Sequence, residues 1–446
     1  MKYSIITFGC RVNQADSLAI EETLRAHGAS AASPEDADVV VVNTCSVTAS
    51  ADQGARQAIR RVARSNPSAR VVVTGCYATR RPGEVASLPG VVQVVPNDEK
   101  LRLLPVIRAL TTAERFGDGE GSCGAAIEPG VAGRTAFTLR VQTGCAEPCA
   151  YCIIPATRGA PRSVPLDDVI REVERVVAAG FKEIVLTGVH LGSYGRDLTP
   201  PTSLAALLAR LAEHSFSGAR GAPPPLALAR GRGLAALPSG PSLGPQALFR
   251  VSSLEPMDCT PDIVDLVATN SCFAAHFHLP LQHASNRVLA AMRRPYTIEP
   301  YAALVDDIRA RIPGAAIGSD VIVGFPGETD EEFERLATYL ERSPLTHVHV
   351  FPYSDRPGTS ASSMAGAVPG TIVRQRARRI REISARLTAG FRDREVGAVH
   401  RALTLEDGSL VVTGNYLKLR IPAGRSPNEW VRVRVASHHE GELLGG

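Results

Sequence analysis

The sequence predicts an α/β chain with an N-terminal doubly wound parallel sheet, a longer second β/α series and a small C-terminal all-β unit. Three observations predict it. Short, continuous β-branched runs, Val39 to Val42 and Val71 to Val73, alternate with helical segments near the start, as buried parallel strands do. A second alternation of strand and helix signals runs from about 137 to 352. Strand-like segments with little helical patterning then fill the tail.

Length and composition set the bounds. The chain has 446 residues, a prior of about two to four domains. Hydrophobic residues make up 44% and charged residues 21%, which excludes a wholly disordered, collagenous or coiled-coil protein. The longest apolar runs fall far short of the ~20 residues of a membrane helix. The stretch Met1 to Phe8 has no signal-peptide h-region and no small-residue cleavage site. A soluble, cytoplasmic chain with no membrane partner is expected. The net charge of +4 is weakly basic and does not by itself argue for nucleic acid. Nine cysteines, an odd number spread along a long chain, fit a disulfide framework badly and a metal or catalytic role in a reducing compartment better.

The elements follow in order. Lys2 to Phe8 reads as a strand. Asn13 is placed to cap a helix running to about Ala26, with Asp16 in its first turn and Gly28 beyond its end. Strand 38–43, helix 50–63 and strand 70–74 complete a β-α-β-α-β pattern within an N-terminal domain of residues 1–111. Residues 112–135, rich in glycine, read as a linker. A core over 136–370 opens with a strand at 137–141. It continues with a helix from Leu166, ended by Gly180, and strands at 184–186, 249–252, 276–279, 317–323 and 347–352. Thr329 and Glu332 form a capping box for a helix over 331–340. Residues 215–246 are rich in Gly, Pro, Ala and Arg and read as a flexible insertion, with an RNA-touching basic loop as the alternative. A basic helix is expected over 371–397, from Arg374, Arg376, Arg378, Arg379, Arg381 and Arg386. The all-β unit spans 398–446, with strands at 402–405, 410–413, 416–421 and 430–435.

Cysteine spacing carries the chemistry. Cys145, Cys149 and Cys152 form C-x3-C-x2-C directly after a strand, on the loop side where parallel α/β sheets place their sites. Three thiolates hold three irons of a [4Fe–4S] cluster and leave the fourth iron open to a ligand. Zinc is the weaker reading, because no fourth ligand is obvious nearby. Cys10, Cys45 and Cys76 each follow one of the first three strands, so they share one edge of the first sheet and suit a second cluster of the same kind. Their alternative is three small buried hydrophobes. Cys123, Cys259 and Cys272 read as structural. His276, His278 and His283 cluster, and His347 and His349 alternate along a strand. Such histidines can ligate metal but more often line a polar interior, and no ligand role is assigned.

The C-x3-C-x2-C loop resembles the radical S-adenosylmethionine (SAM) enzymes, and nearly the whole chain resembles the methylthiotransferases of the MiaB/RimO/MtaB-like group. The N-terminal resemblance rests on Gly9-Cys10-Arg11-Val12-Asn13-Gln14, Asn43-Thr44-Cys45 and Gly75-Cys76. In the core it rests on Gln142-Thr143-Gly144-Cys145, Cys152-Ile153-Ile154-Pro155, Leu186-Thr187-Gly188-Val189, Leu279-Pro280-Leu281-Gln282 and the run Asp320 to Glu328. It implies a central radical-SAM barrel, partial or full, and a C-terminal TRAM-like barrel that contacts RNA. It also implies two [4Fe–4S] clusters. One, on Cys145, Cys149 and Cys152, binds SAM and yields a 5′-deoxyadenosyl radical; the other, on Cys10, Cys45 and Cys76, carries the sulfur. SAM would lie across the strand ends near Gly188, Ser253, Glu255, Gln282, Asp320 and Gly324, although Ser253 and Glu255 are read equally well as turn residues.

The family divides among tRNA adenosines and one aspartate of a ribosomal protein. Cys10 to Gln14, Ser252 to Pro256, His276 to Pro280 and Gly414 to Lys418 look like the MtaB type. That implies conversion of N6-threonylcarbamoyladenosine at tRNA position 37 to its 2-methylthio form. The alternatives are isopentenyl-adenosine 37 of tRNA and the ribosomal-protein aspartate, toward which Leu281 to Ser285 leans. The implied partners are tRNA, a one-electron reductant such as flavodoxin or ferredoxin, and a sulfur donor. Tyr416, Lys418 and Arg420 read as facing RNA from a β surface or, equally well, as the solvated face of an ordinary β-barrel.

Overall fold

The computed structural model describes residues 1–110, 129, 135–216, 247–439 and 442–445. Nearly all of the expected linker at 112–135, the expected insertion from residue 217 onward, and Cys123 lie outside the described residues.

The N-terminal unit runs β1 (Lys2–Thr7), α1 (Arg11–Ala26), β2 (Ser30–Ala31), β3 (Val39–Thr44), α2 (Ala49–Ser65), β4 (Arg70–Gly75), α3 (Cys76–Arg80), α4 (Pro82–Ala86), β5 (Val91–Val95) and α5 (Leu103–Leu110). Its five strands are parallel, in the order β2-β1-β3-β4-β5. Val39 to Val42 and Val71 to Val73 are fully buried, covered on both faces, which is why these strands read as unbroken apolar runs. Each such valine stabilises the sheet by about 1.5–3 kcal/mol relative to exposure. The short edge strand β2 and the strand β5 had no clear sequence signal.

The central unit runs β6 (Ala136–Arg140), β7 (Gln142–Thr143), α6 (Ile154–Arg158), β8 (Arg162–Ser163), α7 (Leu166–Ala178), β9 (Glu183–Thr187), α8 (Leu204–Phe216), β10 (Leu248–Val251), α9 (Pro261–Thr269), β11 (His276–His278), α10 (Asn286–Ala291), α11 (Ile298–Arg311), β12 (Ala316–Val323), α12 (Asp330–Arg342) and β13 (His347–Pro352). Two parallel sheets, β10-β9-β6 and β11-β12-β13, meet through the Phe249–Phe273 bridge and through Leu254 N donating to His278 O. Six parallel strands therefore follow one another in chain order, an open β/α barrel. Outward side chains such as Phe277, Val321 and Val348 join the helices in one large core. Cys259 and Cys272 are buried in that core, as structural residues are. The capping box at Thr329 and Glu332 opens α12.

The helix α13 (Gly370–Glu395) leads to a closed barrel of β14 (Val399–Leu405), β15 (Leu410–Thr413), β16 (Lys418–Arg420), β17 (Trp430–His439) and β18 (Glu442–Gly445). The closing strand β18 had not been expected. The basic segment expected over 371–397 forms α13, and several of its arginines are paired. Ala377, Ile380 and Ile383 bury one face, and Arg376, Arg379 and Arg386 pair with Asp330, Glu334 and Glu341 of α12. Arg374, Arg378, Arg381, Arg386 and Arg394 are exposed along it. No helix among the described residues is long and apolar enough to cross a membrane.

Candidate active site

Parallel strands place their C-terminal ends on one edge, and that edge collects Cys10, Cys45 and Cys76 at the ends of β1, β3 and β4. Cys10 is exposed at the start of α1, while Cys45 and Cys76 are buried. The first loop presses on the second: a Cβ on Gly9 would lie 2.6 Å from Cys45 Sγ. Burial pushes the Cys45 thiol up to about 12, and the neighbouring Cys10 and Cys76 push the same way.

Asn13 does not cap α1. The helix starts two residues earlier, at Arg11, with Cys10 as its N-cap. The Asn13 side chain is fully buried and donates to Phe8 O at 2.8 Å and Thr44 O at 2.9 Å. Two buried carbonyls competed for its amide, and satisfying them ties the Cys10 loop to the strand that ends beside Cys45.

Cys145, Cys149 and Cys152 occupy the loop between β7 and α6. Gly144 adopts φ +75°, and a Cβ there would meet Ala160 O at 1.9 Å, so only glycine fits. The buried Gln142 amide donates to Thr143 O and Gly144 O, and its Oε1 accepts from His190 N at 2.9 Å. Cys149 Sγ accepts from Arg294 Nη1 at 3.2 Å, and Arg294 is also ion-paired with Glu255. Burial raises the Cys149 thiol against the pull of Arg294, and burial raises Cys152 to about 12. His190 lies 3.9 Å from Cys145 Sγ and 2.8 Å from Asp258. Burial pushes His190 down, but Asp258 and Cys145 together carry it up to about 10.

The two cysteine sets are joined by one short helix. α6 begins two residues after Cys152 and ends at Arg158, whose guanidinium reaches Asn13 and Asp16 of the N-terminal unit. Asn97 donates to Thr157 O at 2.8 Å and lies 3.6 Å from Cys76 Sγ. Arg356 anchors a second seam, on Asp52 and Val47 O. Between the sets lies a cleft of about 180 Å³. Val47 and Thr48 line it from one side, and Tyr151, Cys152, Gln282 and Asp320 from the other. A larger hollow of about 650 Å³ lies between α11, α12 and α13 and is lined by no cysteine.

The candidates for SAM contact are placed unevenly. Gln282, at φ +67°, and Asp320 line the cleft and are held together by Gln282 N donating to Asp320 O. Glu255 sits beside the cysteine loop through Arg294. Gly188 lies against Gln142, whose Oε1 would be 2.9 Å from a Cβ there. Ser253 is exposed beyond the end of β10. Gly324 faces Val373 of α13, and its amide is bonded to Glu328. Arg158, Arg294, Asn97 and His190 were missed. Each touches its partner across dozens of residues of sequence, and none stands in a distinctive local pattern.

Three thiols in each set, with Cys45 and Cys76 buried and Cys145, Cys149 and Cys152 partly so, and a cation beside Cys149 fit iron–sulfur ligation. Thiols held neutral by burial release their protons when a metal binds. At the rim, Arg11 next to Cys10 donates to Tyr416 Oη at 3.0 Å, and the Arg250 guanidinium stacks 4.6 Å from the Tyr416 ring. Tyr416, Lys418 and Arg420 are exposed on the barrel.

Comparison with known proteins follows the same division. Residues 2–96 match the uncharacterized protein family UPF0004, and residues 139–340 match the radical SAM superfamily. The threonylcarbamoyladenosine tRNA methylthiotransferase MtaB of Aquifex aeolicus is 35% identical over 98% of this chain and 100% of its own length. The ribosomal protein uS12 methylthiotransferase RimO of Roseiflexus castenholzii is 31% identical over 100% of this chain and 96% of its own. The radical SAM methyltransferase TsrM from Kitasatospora setae, solved with cobalamin and a [4Fe–4S] cluster, shares the fold. Its TM-score is 0.54 at 16% identity, over 81% of this chain and 76% of TsrM. The chain belongs to the radical SAM methylthiotransferase family and is an enzyme of that class.

Proposed function

We propose that this enzyme methylthiolates N6-threonylcarbamoyladenosine at position 37 of tRNA in the cytoplasm, with two [4Fe–4S] clusters and SAM. The observation that carries the reading is the shared cleft. Thr48, three residues past Cys45, and Cys152 line the same space, so the loop that follows Cys45 and the end of the second cysteine set border one cleft. When bound, the group on Cys145, Cys149 and Cys152 supplies one-electron cleavage of SAM, and the group on Cys10, Cys45 and Cys76 supplies sulfur.

The protein's own residues position this chemistry. Arg294 places positive charge on Cys149 and fixes Glu255 beside it. Gln282 and Asp320 present polar atoms to the cleft. Asn97 and Arg158 hold the two cysteine sets at a fixed spacing. Arg11 and Tyr416 offer a cation and an aromatic face at the rim, suited to phosphate and base. The names of the Aquifex aeolicus relative and others like it support the nucleoside.

The test is nucleoside mass spectrometry on tRNA that carries the threonylcarbamoyl group but lacks the methylthio group. The tRNA is incubated anaerobically with reconstituted enzyme, SAM, sulfide and reductant. A gain of methylthio mass on the threonylcarbamoyl nucleoside is expected. Formation of 5′-deoxyadenosine without that gain would overturn the substrate and leave isopentenyl-adenosine tRNA and the ribosomal protein to be tried.

A further inference from the structure

The inward faces of β11, β12 and β13 carry a group that neither cysteine set uses. Side chains alternate along these strands, so Phe277, Val321 and Val348 pack outward while His278, Asp320, His347 and His349 point into the barrel. The nearest ring nitrogens of His278, His347 and His349 all lie within 4.8 Å of one another, the one such cluster among the described residues. Adjacent strands bring these residues to two successive levels of one face: His278 and His347 both pair with Gly318, and His349 pairs with Asp320.

Three details single the cluster out from an ordinary polar lining. Gly318 makes room for it, since a Cβ there would stand 2.2 Å from His347 Nε2. His347 Nδ1 is engaged by Thr346 Oγ1 at 3.1 Å, which fixes the ring and leaves Nε2 turned inward. His278 Nε2 and Asp320 Oδ1 are 3.0 Å apart, yet both are buried with no hydrogen-bond partner among the described residues. Their contact is an ion pair without hydrogen-bond geometry, so both lone pairs are incompletely satisfied in a buried place. A divalent cation satisfies both.

We propose that His278, His347 and His349, with Asp320 as an oxygen ligand, form a binding site for a divalent first-row transition metal inside the barrel, separate from both cysteine sets. A nitrogen-rich donor set with one carboxylate suits Zn²⁺ or Fe²⁺ and disfavours Mg²⁺ or Ca²⁺, which take oxygen ligands. His349 is exposed, so the ion keeps a face open to the barrel interior and to water. Asp320 also lines the cleft beside Cys152, so the proposed site shares one residue with the wall of that cleft.

The test uses the full chain with its clusters reconstituted, with Zn²⁺ as the probe because its absorption edge is separate from that of iron. The protein is given one equivalent of Zn²⁺, desalted, and measured by elemental analysis and zinc-edge X-ray absorption. One zinc per chain is expected, with nitrogen and oxygen at about 2.0–2.1 Å and no sulfur shell. His349→Ala and His347→Ala should each retain at least tenfold less zinc at the same free concentration. Iron content and thermal unfolding of His349→Ala, an exposed position, report that its fold is intact. Equal zinc retention in His349→Ala, a sulfur shell at about 2.3 Å, or no retained zinc in the unmodified chain would each overturn the proposal.

Discussion

Arg158 Nη2 lies 3.1 Å from Asp16 Oδ2, with the two side chains 3% and 1% exposed. Lys100 and Arg140 converge on the same carboxylate. Arg140 and Arg158 belong to the central unit, and Asp16 and Lys100 to the N-terminal one, so this buried node locks the two cysteine-bearing units together. Breaking it by removing one partner leaves uncompensated buried charge. Asp16→Ala is expected to destabilise the protein by about 3–5 kcal/mol, measured by denaturant unfolding.

The same carboxylate predicts a pH dependence. Burial raises Asp16, but Lys100, Arg158 and Arg140 outweigh it and hold the group at about 2, below its ordinary 3.8. A depressed carboxylate contributes stability above its unfolded value and loses it as pH falls through its folded value. The stability gap between the unmodified protein and Asp16→Asn is therefore full above about pH 4 and shrinks as pH falls toward 2. Unfolding curves at stepped pH check it; a gap that grows on acidification contradicts it.

Gly144→Ala should strip one cysteine set and spare the other. The new Cβ would collide with Ala160 O while the residue is held at positive φ, so the loop bearing Cys145, Cys149 and Cys152 must rearrange. Iron analysis after reconstitution is expected to show about half the unmodified content, with 5′-deoxyadenosine formation lost.

Arg294→Ala removes a charge-assisted hydrogen bond to Cys149 and leaves Glu255 without its cation. A bond of that kind contributes about 1.5–3 kcal/mol, so 5′-deoxyadenosine formation is expected to fall roughly ten- to a hundredfold. A rate unchanged within twofold would show that Arg294 is not needed there.

Arg11→Ala should weaken tRNA binding and lower the salt slope of the association constant by about one. Tyr416→Ala should cost about 1–3 kcal/mol of tRNA affinity. Binding measured across salt concentrations separates the two effects. Unchanged affinity in both variants would remove this rim from the RNA interface.

What was legible follows from the physics of each feature. The valine runs of β3 and β4 stand out because strands covered on both faces admit only apolar residues. Cys145, Cys149 and Cys152 stand out by their close spacing in one loop, and Cys10, Cys45 and Cys76 because thiols at successive parallel strand ends share an edge whatever the loop detail. Asn13 was misread because its local spacing matched a cap, whereas its amide is claimed by Phe8 O and Thr44 O. The basic character of α13 was legible, but the acids that pair with Arg376 and Arg379 lie on α12, far away in sequence. Arg158, Arg294 and Asn97 gave no local signal, since their roles exist only once α6, α10 and the N-terminal sheet are packed. The alternating histidines were visible, but Gly318 and the Asp320 contact that distinguish them from a polar lining were not.

The central claim is that the two cysteine sets divide the work across one cleft. The most direct test is a single anaerobic reaction of the unmodified enzyme and its Cys45→Ala variant with threonylcarbamoylated tRNA, reading 5′-deoxyadenosine and methylthiolated nucleoside together. The prediction is that Cys45→Ala still forms 5′-deoxyadenosine but no methylthio product, while Cys149→Ala forms neither. Methylthiolated product from Cys45→Ala would contradict the division.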